Sequence, residues 1–233
     1  MKRNIKYIGL DADDTLWINE PLFHIAEKKL AKILSTYINP ENIVNEQYKT
    51  ESSNIKLFGY GVKGFTLSMI ETAHRLTDGK ISSEDIVKII SLGKEILTAP
   101  VQLLDDVETV VKQLSQNYKL VVATKGDLLD QESKLKRSGI EKYFHHIEVM
   151  SEKNEEAYLS LLSHLEIKPE EFVMIGNSLK SDIIPPVKIG IEAIHIPFKT
   201  TWQHESVTDK DLQGLTYTTV NSFKDLLNFF DQE

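Results

Sequence analysis

Beyond Pro100, short apolar runs alternate with single helical segments along the sequence. Strands separated by single helices form parallel sheets with helices on both faces. The sequence therefore predicts an α/β, doubly wound parallel sheet. The predicted strands are Lys119–Thr124, His146–Met150, Phe172–Gly176, Ala193–Ile196 and Thr216–Val220. The predicted helices are Val107–Leu114, Leu128–Ser138, Glu155–Leu165, Ser181–Ile189 (interrupted early by Pro185 and Pro186) and Ser222–Phe230.

A block of helical character interrupts this pattern after a first strand at Lys6–Leu10. Three apolar stripes with helical spacing follow between Pro21 and about Thr98. Residues 39–64 between the first two stripes are polar and end in a glycine-punctuated turn, FGYGVKG. We therefore expect a core domain from residues 1–17 and 99–233, and an inserted α-helical domain from residues 18–98.

Charge and composition exclude several classes of protein. The 233 residues carry 27 Lys and Arg against 35 Asp and Glu, so the net charge of −8 disfavours nucleic acid and anionic membranes as partners. The absence of cysteine excludes disulfides, thiolate metal sites and a cysteine nucleophile. The apolar stretch near the N-terminus is too short for a signal peptide, and no run reaches the roughly 20 apolar residues of a membrane span. We expect a cytoplasmic protein.

Polar residues follow four predicted strands, at the sheet edge where open parallel sheets bind ligands. The four strand ends carry Asp11-Ala12-Asp13-Asp14-Thr15, Thr124-Lys125-Gly126, Ser151-Glu152-Lys153, and Gly176-Asn177-Ser178 with Asp182. Considered alone, each of these four strand ends is typical of an ordinary turn or a helix cap. Together, carboxylates at one edge need a cation, and their hard oxygen atoms suit Mg²⁺. A hydroxyl and an ammonium beside them indicate phosphoryl transfer to a carboxylate nucleophile.

The order of these motifs resembles the haloacid dehalogenase-like hydrolases, in particular phosphatases with a helical cap inserted after the first motif. Asp11–Thr15 is similar to the family's DxDxT, and Thr124 and Lys153 to its second and third motifs. Gly176–Asp182 resembles the fourth motif, GDSxxxD. The resemblance extends over essentially the whole chain and implies a Rossmann-like core, a cap, Mg²⁺ as cofactor and a small phosphorylated metabolite as substrate.

The resemblance also implies a role for each residue. Asp11 would be the nucleophile, and Asp13 the general acid and base. Thr124 would bind a phosphoryl oxygen, while Lys153 would restrain Asp11. The metal ligands would be Asp11, the main-chain carbonyl of Asp13, Asp182 and, weakly or through water, Asn177. The presence of Asp13 favours phosphate chemistry over the dehalogenase branch.

Asn177 departs from the family pattern, which has Asp there. An amide oxygen still ligates or positions a metal-bound water but lacks the charge. A catalytically weakened binding or regulatory protein is therefore the alternative function. A phosphomutase also stays open, as does a phosphonate hydrolase, which would require a cap lysine such as Lys63 to form a Schiff base. Response regulators are excluded by their shorter length, their different motif order and their lack of a large insertion after the first strand.

Further residues are candidates for phosphate binding and substrate selection. Lys125 can add positive charge beside Thr124, and Gly126 allows close backbone approach to phosphate. Trp17, Tyr60 and Lys63 are candidates for contacting the leaving group. We expect the loop that contains Trp202, His204 and Glu205 to contribute packing or loop anchoring. The sequence leaves the oligomeric state and the physiological substrate open.

Overall fold

In the computed structural model, which describes residues 4–200 and 202–231, six strands form one parallel sheet in the order β3-β2-β1-β4-β5-β6. The strands are β1 Tyr7–Leu10, β2 Lys119–Lys125, β3 Phe144–Met150, β4 Phe172–Gly176, β5 Glu192–His195 and β6 Thr218–Thr219. The chain moves outward from β1 first on one side and then on the other. This order confirms the predicted doubly wound sheet and places its topological switch point beside β1.

Register brings the ends of the central strands to one level. Leu10 pairs with Val122 of β2 and with Ile175 of β4. The main-chain amide of Asp11 continues this ladder by donating to the carbonyl of Ile175 at 2.9 Å. The first acidic residue after β1 is therefore fixed by the sheet itself.

Helices cover both faces of this sheet and, with it, form the first of two compact units of the chain. They are α5 Val107–Leu114, α6 Leu128–Arg137, α7 Glu155–His164, α8 Ile184–Lys188, α9 Asp209–Leu212 and α10 Asp225–Asp231. Alternate residues of the central strands enter two separate apolar clusters, as expected when both faces are covered. The unit contains the residues before Asn19, Val101–Lys125 and the residues from Gln131 onward.

Gly9 shows how tightly the face beneath α7 is packed. A Cβ atom at this position would lie 2.4 Å from Cζ of Phe172 and 3.0 Å from Sδ of Met174. Glycine in β1 therefore makes room for a phenyl ring of the neighbouring strand.

The second unit is helical and consists of Asn19–Pro100 with Gly126–Asp130. Its helices are α1 Glu20–Leu34, α2 Ile43–Phe58, α3 Val62–Leu76 and α4 Ser83–Thr98. One apolar cluster packs α1, α3 and α4 together with the start of α2. Ser82 caps α4 by accepting a hydrogen bond from the amide of Asp85 at 3.1 Å.

Helix α2 was not predicted because its buried face is mainly polar. Ile43, Gln47, Thr50 and Asn54 recur at helical spacing, but only the first is apolar. The amide of Asn54 donates to Ser68 Oγ at 3.1 Å and to a carboxylate oxygen of Glu71 at 2.7 Å. Hydrogen bonds to α3 therefore take the place of the apolar stripe that would have predicted a helix from the sequence.

The later elements also differ in detail from the prediction. The segment predicted as one helix at Ser181–Ile189 is a π-helical turn, Leu179–Ile183, followed by α8. Pro185 and Pro186 lie in the first turn of α8, where a missing amide hydrogen costs little. The predicted strand at 216–220 shortens to β6, and α9 was not predicted. Within the part of the chain that the structure describes, none of the helices has the length and apolar character needed to cross a bilayer.

Candidate active site

The turn after β1 is built to present its acidic residues. Main-chain amides of Thr15, Leu16 and Trp17 all donate to the carbonyl of Ala12. Asp14 adopts a φ of 60°, the left-handed region that aspartate tolerates better than most residues. This tight turn directly follows Asp11, whose amide is hydrogen-bonded to the sheet. The acidic residues Asp11, Asp13 and Asp14 therefore lie at the carboxyl end of β1.

Lys153 joins two buried carboxylates at this edge. Its Nζ donates to Asp11 Oδ1 at 2.5 Å and to Asp182 Oδ1 at 2.6 Å. The main-chain amide of Ser178 donates to the other oxygen of Asp182 at 2.9 Å. Gly176 makes this arrangement possible, because a Cβ there would lie 2.2 Å from Oδ2 of Asp182. Three residues far apart in the sequence thus form one ion-pair cluster.

This cluster carries more negative than positive charge. Burial raises the pKa of Asp11 to about 7, with Lys153 opposing the shift and Asp182 adding to it. Burial also raises the pKa of Asp182, against the influence of Lys153. Burial would lower the pKa of Lys153, but the two carboxylates raise it. One ammonium therefore serves two carboxylates in a place where an unneutralised charge is costly.

Thr15 links Asp11 to Asn177. Its Oγ1 lies 3.0 Å from Asp11 Oδ2 and 3.2 Å from Asn177 Oδ1, and donates its one proton to either oxygen. The main-chain amide of Asn177 donates to the same hydroxyl at 3.1 Å. The side-chain oxygen of Asn177 therefore lies beside the nucleophile candidate, and Thr15 is part of the site rather than only of the turn.

Asp13 lies in a separate network from Asp11. Its Oδ1 accepts hydrogen bonds from Trp17 Nε1 at 2.7 Å and from Lys134 Nζ at 2.8 Å. Its Oδ2 accepts from Gln131 Nε2 at 2.9 Å. The same amide group lies 2.9 Å from Thr124 Oγ1. Lys134 and Gln131 were not among the predicted site residues.

The loop that contains Glu205 was predicted to contribute packing or loop anchoring, and Glu205 anchors it within the site. It accepts from Lys125 Nζ at 2.5 Å, from Ser181 Oγ at 2.6 Å and from Ser178 Oγ. Burial alone would raise the pKa of Glu205, but Lys125 and the two serine hydroxyls lower it to about 2. Lys125, a predicted phosphate ligand, is thus already paired with a carboxylate.

The structure brings together Asp11, Asp13, Thr124, Lys125, Lys153, Asn177 and Asp182 within the first unit. Trp17 belongs there too, but it is buried and its indole contacts Asp13. Tyr60, Lys63 and Gly126 belong to the helical unit, where Lys63 Nζ donates to Asp127 at 2.8 and 2.9 Å. Gly126 adopts a φ of 124°, which glycine tolerates best. The roles of these residues in substrate binding stay predictions.

Metal-binding groups at this edge are few. Among residues 4–200 and 202–231, no group of three or more acidic or histidine side chains lies close enough together to hold a metal ion. The acidic groups that face each other across Lys153 are Asp11 and Asp182. A divalent cation there needs neutral oxygen ligands in addition, such as the amide oxygen of Asn177.

Comparison with known proteins places these motifs in a family. Residues 5–190 match the haloacid dehalogenase-like hydrolases. A haloacid dehalogenase-like family hydrolase of known structure from Xanthomonas campestris is 36% identical, covers 98% of this chain and 91% of its own, and superposes with a TM-score of 0.86. A glyceraldehyde 3-phosphate phosphatase from Methanocaldococcus jannaschii is 27% identical over 96% of each chain.

A third relative is matched over a shorter region. The N-acylneuraminate-9-phosphatase of Mus musculus is 29% identical over 45% of this chain and 42% of its own. Partial matches of this kind span about half the length of the relatives concerned. The resemblance inferred from the four motifs is confirmed by the match over residues 5–190. This chain is an enzyme of the haloacid dehalogenase-like hydrolase family, and its named relatives include phosphatases.

Proposed function

We propose that this protein is a Mg²⁺-dependent phosphatase that hydrolyses a small phosphorylated metabolite through an aspartyl-phosphate intermediate. The observation that carries this proposal is the separation of two carboxylates at the end of β1. Asp11 is held by Lys153 and Thr15, while Asp13, two residues later, is held by Lys134 and Gln131. Two environments for two carboxylates favour two chemical roles.

Asp11 is the proposed nucleophile. Its carboxylate oxygen forms a bond to phosphorus while the bond from phosphorus to the leaving oxygen breaks, and the electron pair of that bond goes to the leaving oxygen. Asp13 gives its proton to the leaving oxygen. It then takes a proton from the water that attacks phosphorus and regenerates Asp11. Thr124 donates a hydrogen bond to the phosphoryl group, and Lys153 offsets its negative charge.

The residues at this edge fit Mg²⁺. Burial is the main cause of the raised pKa values of Asp11 and Asp182, and neighbouring carboxylates add to it; a divalent cation would favour the ionised form of both. Hard oxygen ligands are what Mg²⁺ prefers, and it keeps several waters. Asp11, Asp182, the main-chain carbonyl of Asp13 and Asn177 would hold it. When bound, the ion supplies charge stabilisation to the transferring phosphoryl group.

We further propose that residues 18–98, which include the four long helices, are a cap domain. They would be inserted into a core domain of residues 1–17 and 99–233. Closure of a cap excludes water from phosphoryl transfer and contributes to substrate choice. Trp17, Tyr60 and Lys63 are the proposed selectivity residues, and Lys125 and Gly126 are proposed to bind phosphate. The protein is proposed to work in the cytoplasm on a freely diffusing metabolite, without nucleic acid or membrane as partner.

The names of two relatives suggest the substrate class. One is named for glyceraldehyde 3-phosphate and the other for an N-acylneuraminate 9-phosphate. We propose that the substrate is likewise a phosphorylated sugar or sugar-derived compound. The test is phosphate release from a panel of such monoesters and of p-nitrophenyl phosphate, with Mg²⁺ and with chelator.

The expected result is turnover that chelator and Asp11→Asn both abolish, with a trapped phosphoenzyme seen by intact mass in the wild type only. A wild type that releases no phosphate across the panel would contradict the proposal. Asn177 favours one alternative, a protein that binds phosphorylated ligands without turnover. In that case Asn177→Asp raises Mg²⁺ affinity and creates activity that the wild type lacks.

A further inference from the structure

Asp13 has two partners on α6 that the family motifs do not include. Lys134 Nζ lies 2.8 Å from Oδ1 and 3.2 Å from Oδ2 of Asp13, so its ammonium contacts both oxygens of the carboxylate. Gln131, one helical turn earlier, donates to Oδ2. The Asp13 carboxylate therefore accepts a charge-assisted hydrogen bond from Lys134 and an amide hydrogen bond from Gln131, and the two donors lie on successive turns of one helix.

Both partners are buried, which argues for a defined purpose. Lys134 is 8% exposed and Gln131 is 2% exposed. A lysine in such a place is costly unless a carboxylate neutralises it. The amide nitrogen of Gln131 also lies 2.9 Å from Thr124 Oγ1 and 2.8 Å from the carbonyl oxygen of Lys125. Gln131 therefore ties Asp13 to the strand end that carries Thr124.

We propose that Lys134 is a positioning residue for Asp13 and that Gln131 fixes Asp13 relative to Thr124. This inference rests on the proposed phosphatase function. When Asp13 gives its proton to the leaving oxygen, it becomes a carboxylate. Lys134 stabilises that carboxylate and holds both of its oxygens in a fixed orientation. Lys134 itself transfers no proton.

Leaving groups of different basicity distinguish this role from a merely structural one. Expulsion of an alkoxide needs a proton, whereas p-nitrophenolate leaves without one. Loss of Lys134 should therefore affect alkyl phosphates selectively. The measured quantity is kcat/KM, because it reports on the steps up to formation of the phosphoenzyme and excludes its hydrolysis.

The experiment compares p-nitrophenyl phosphate with the alkyl phosphate that the wild type cleaves fastest. Lys134→Met should lower kcat/KM about 100-fold for the alkyl phosphate, at the lower end of general-acid contributions, and less than about 5-fold for the aryl phosphate. Lys134→Arg should restore part of the loss. In an Asp13→Asn background, Lys134→Met should cause no further loss, because it acts through Asp13.

Lys136→Met is the matched control, since Lys136 lies on the same helix and is exposed. This variant should leave kcat/KM unchanged for both substrates. Equal losses for both substrates, or an additive loss in the Asp13→Asn background, would overturn the inference. If Lys134→Met does not fold, Lys134→Gln must show the same split between substrates. A wild type inactive on every phosphate refutes the proposed function, whereas an active wild type with unselective losses refutes only the role of Lys134.

Discussion

Replacing Glu205 by glutamine tests the ion pair that fixes the loop after β5 to the site. Burial alone would raise the pKa of Glu205, but Lys125 and two serines lower it from 4.5 to about 2. Each pKa unit corresponds to about 1.4 kcal/mol, so the ionised form contributes about 3 kcal/mol to the folded state at neutral pH. The side chain of Glu205 is 11% exposed, so solvent screening reduces this value little.

The pH dependence follows from the direction of the shift. Because the folded-state pKa is depressed, the stabilisation is fully present above pH 4.5 and is lost as the pH falls towards 2. Glu205→Gln should therefore lower the free energy of unfolding by about 3 kcal/mol at pH 7 and by about 1 kcal/mol at pH 3. Glutamine keeps the shape of the side chain but cannot neutralise Lys125.

The assay is urea unfolding followed by tryptophan fluorescence. Trp17 and Trp202 are the two tryptophans of the chain, and both belong to the first unit. Glu156→Gln on α7 is the control, because Glu156 is exposed and should change stability by less than about 0.5 kcal/mol. A loss below about 1 kcal/mol at pH 7, or an equal loss at both pH values, would refute this reasoning.

Three further outcomes follow from the same structure. Lys153→Met leaves Asp11 and Asp182 without their shared cation, so it should cost about 3–5 kcal/mol in urea unfolding; a smaller cost in metal-free protein would contradict the buried cluster. Mg²⁺ affinity measured by calorimetry should rise about tenfold per pH unit between pH 5 and pH 7, because protons compete for Asp11, whose pKa is about 7; an affinity independent of pH would argue against Asp11 as a ligand. Gly9→Ala should lower the melting temperature through a clash with Phe172, at a cost of about 1–3 kcal/mol, and an unchanged melting temperature would mean that the ring moves aside freely.

The sheet and the ion-pair cluster were predictable because their signals are local. Each acidic or basic residue of the cluster follows a strand whose apolar run is visible in the sequence. Parallel strands bring such ends to one edge, so the sequence predicts that Asp11, Lys153 and Asp182 lie close together. Their distances of 2.5 and 2.6 Å through Lys153 agree with that expectation.

Other parts of the site were not predictable for reasons that are equally physical. Glu205 reaches Lys125 across 80 positions of sequence, and its loop carries no periodic signal. Gln131 and Lys134 look like ordinary polar residues of a helix; their three-residue spacing, shortly after Thr124, is a signal that could have indicated a shared face, but such spacing is common on exposed helix faces too. Helix α2 was missed because hydrogen bonds take the place of an apolar stripe on its buried side.

Three lysines of the site, Lys125, Lys134 and Lys153, are each paired with a carboxylate, and this pairing has a consequence for the order in which ligands bind. When all four are ionised, the carboxylates of Asp11, Asp13, Asp182 and Glu205 carry one more negative charge than Lys125, Lys134 and Lys153 carry positive. Above the pKa of Asp11, these seven groups together repel a phosphate dianion that approaches without a cation. If the proposed mechanism holds, the cation should therefore bind before the phosphorylated compound, and inorganic phosphate alone should be a poor ligand.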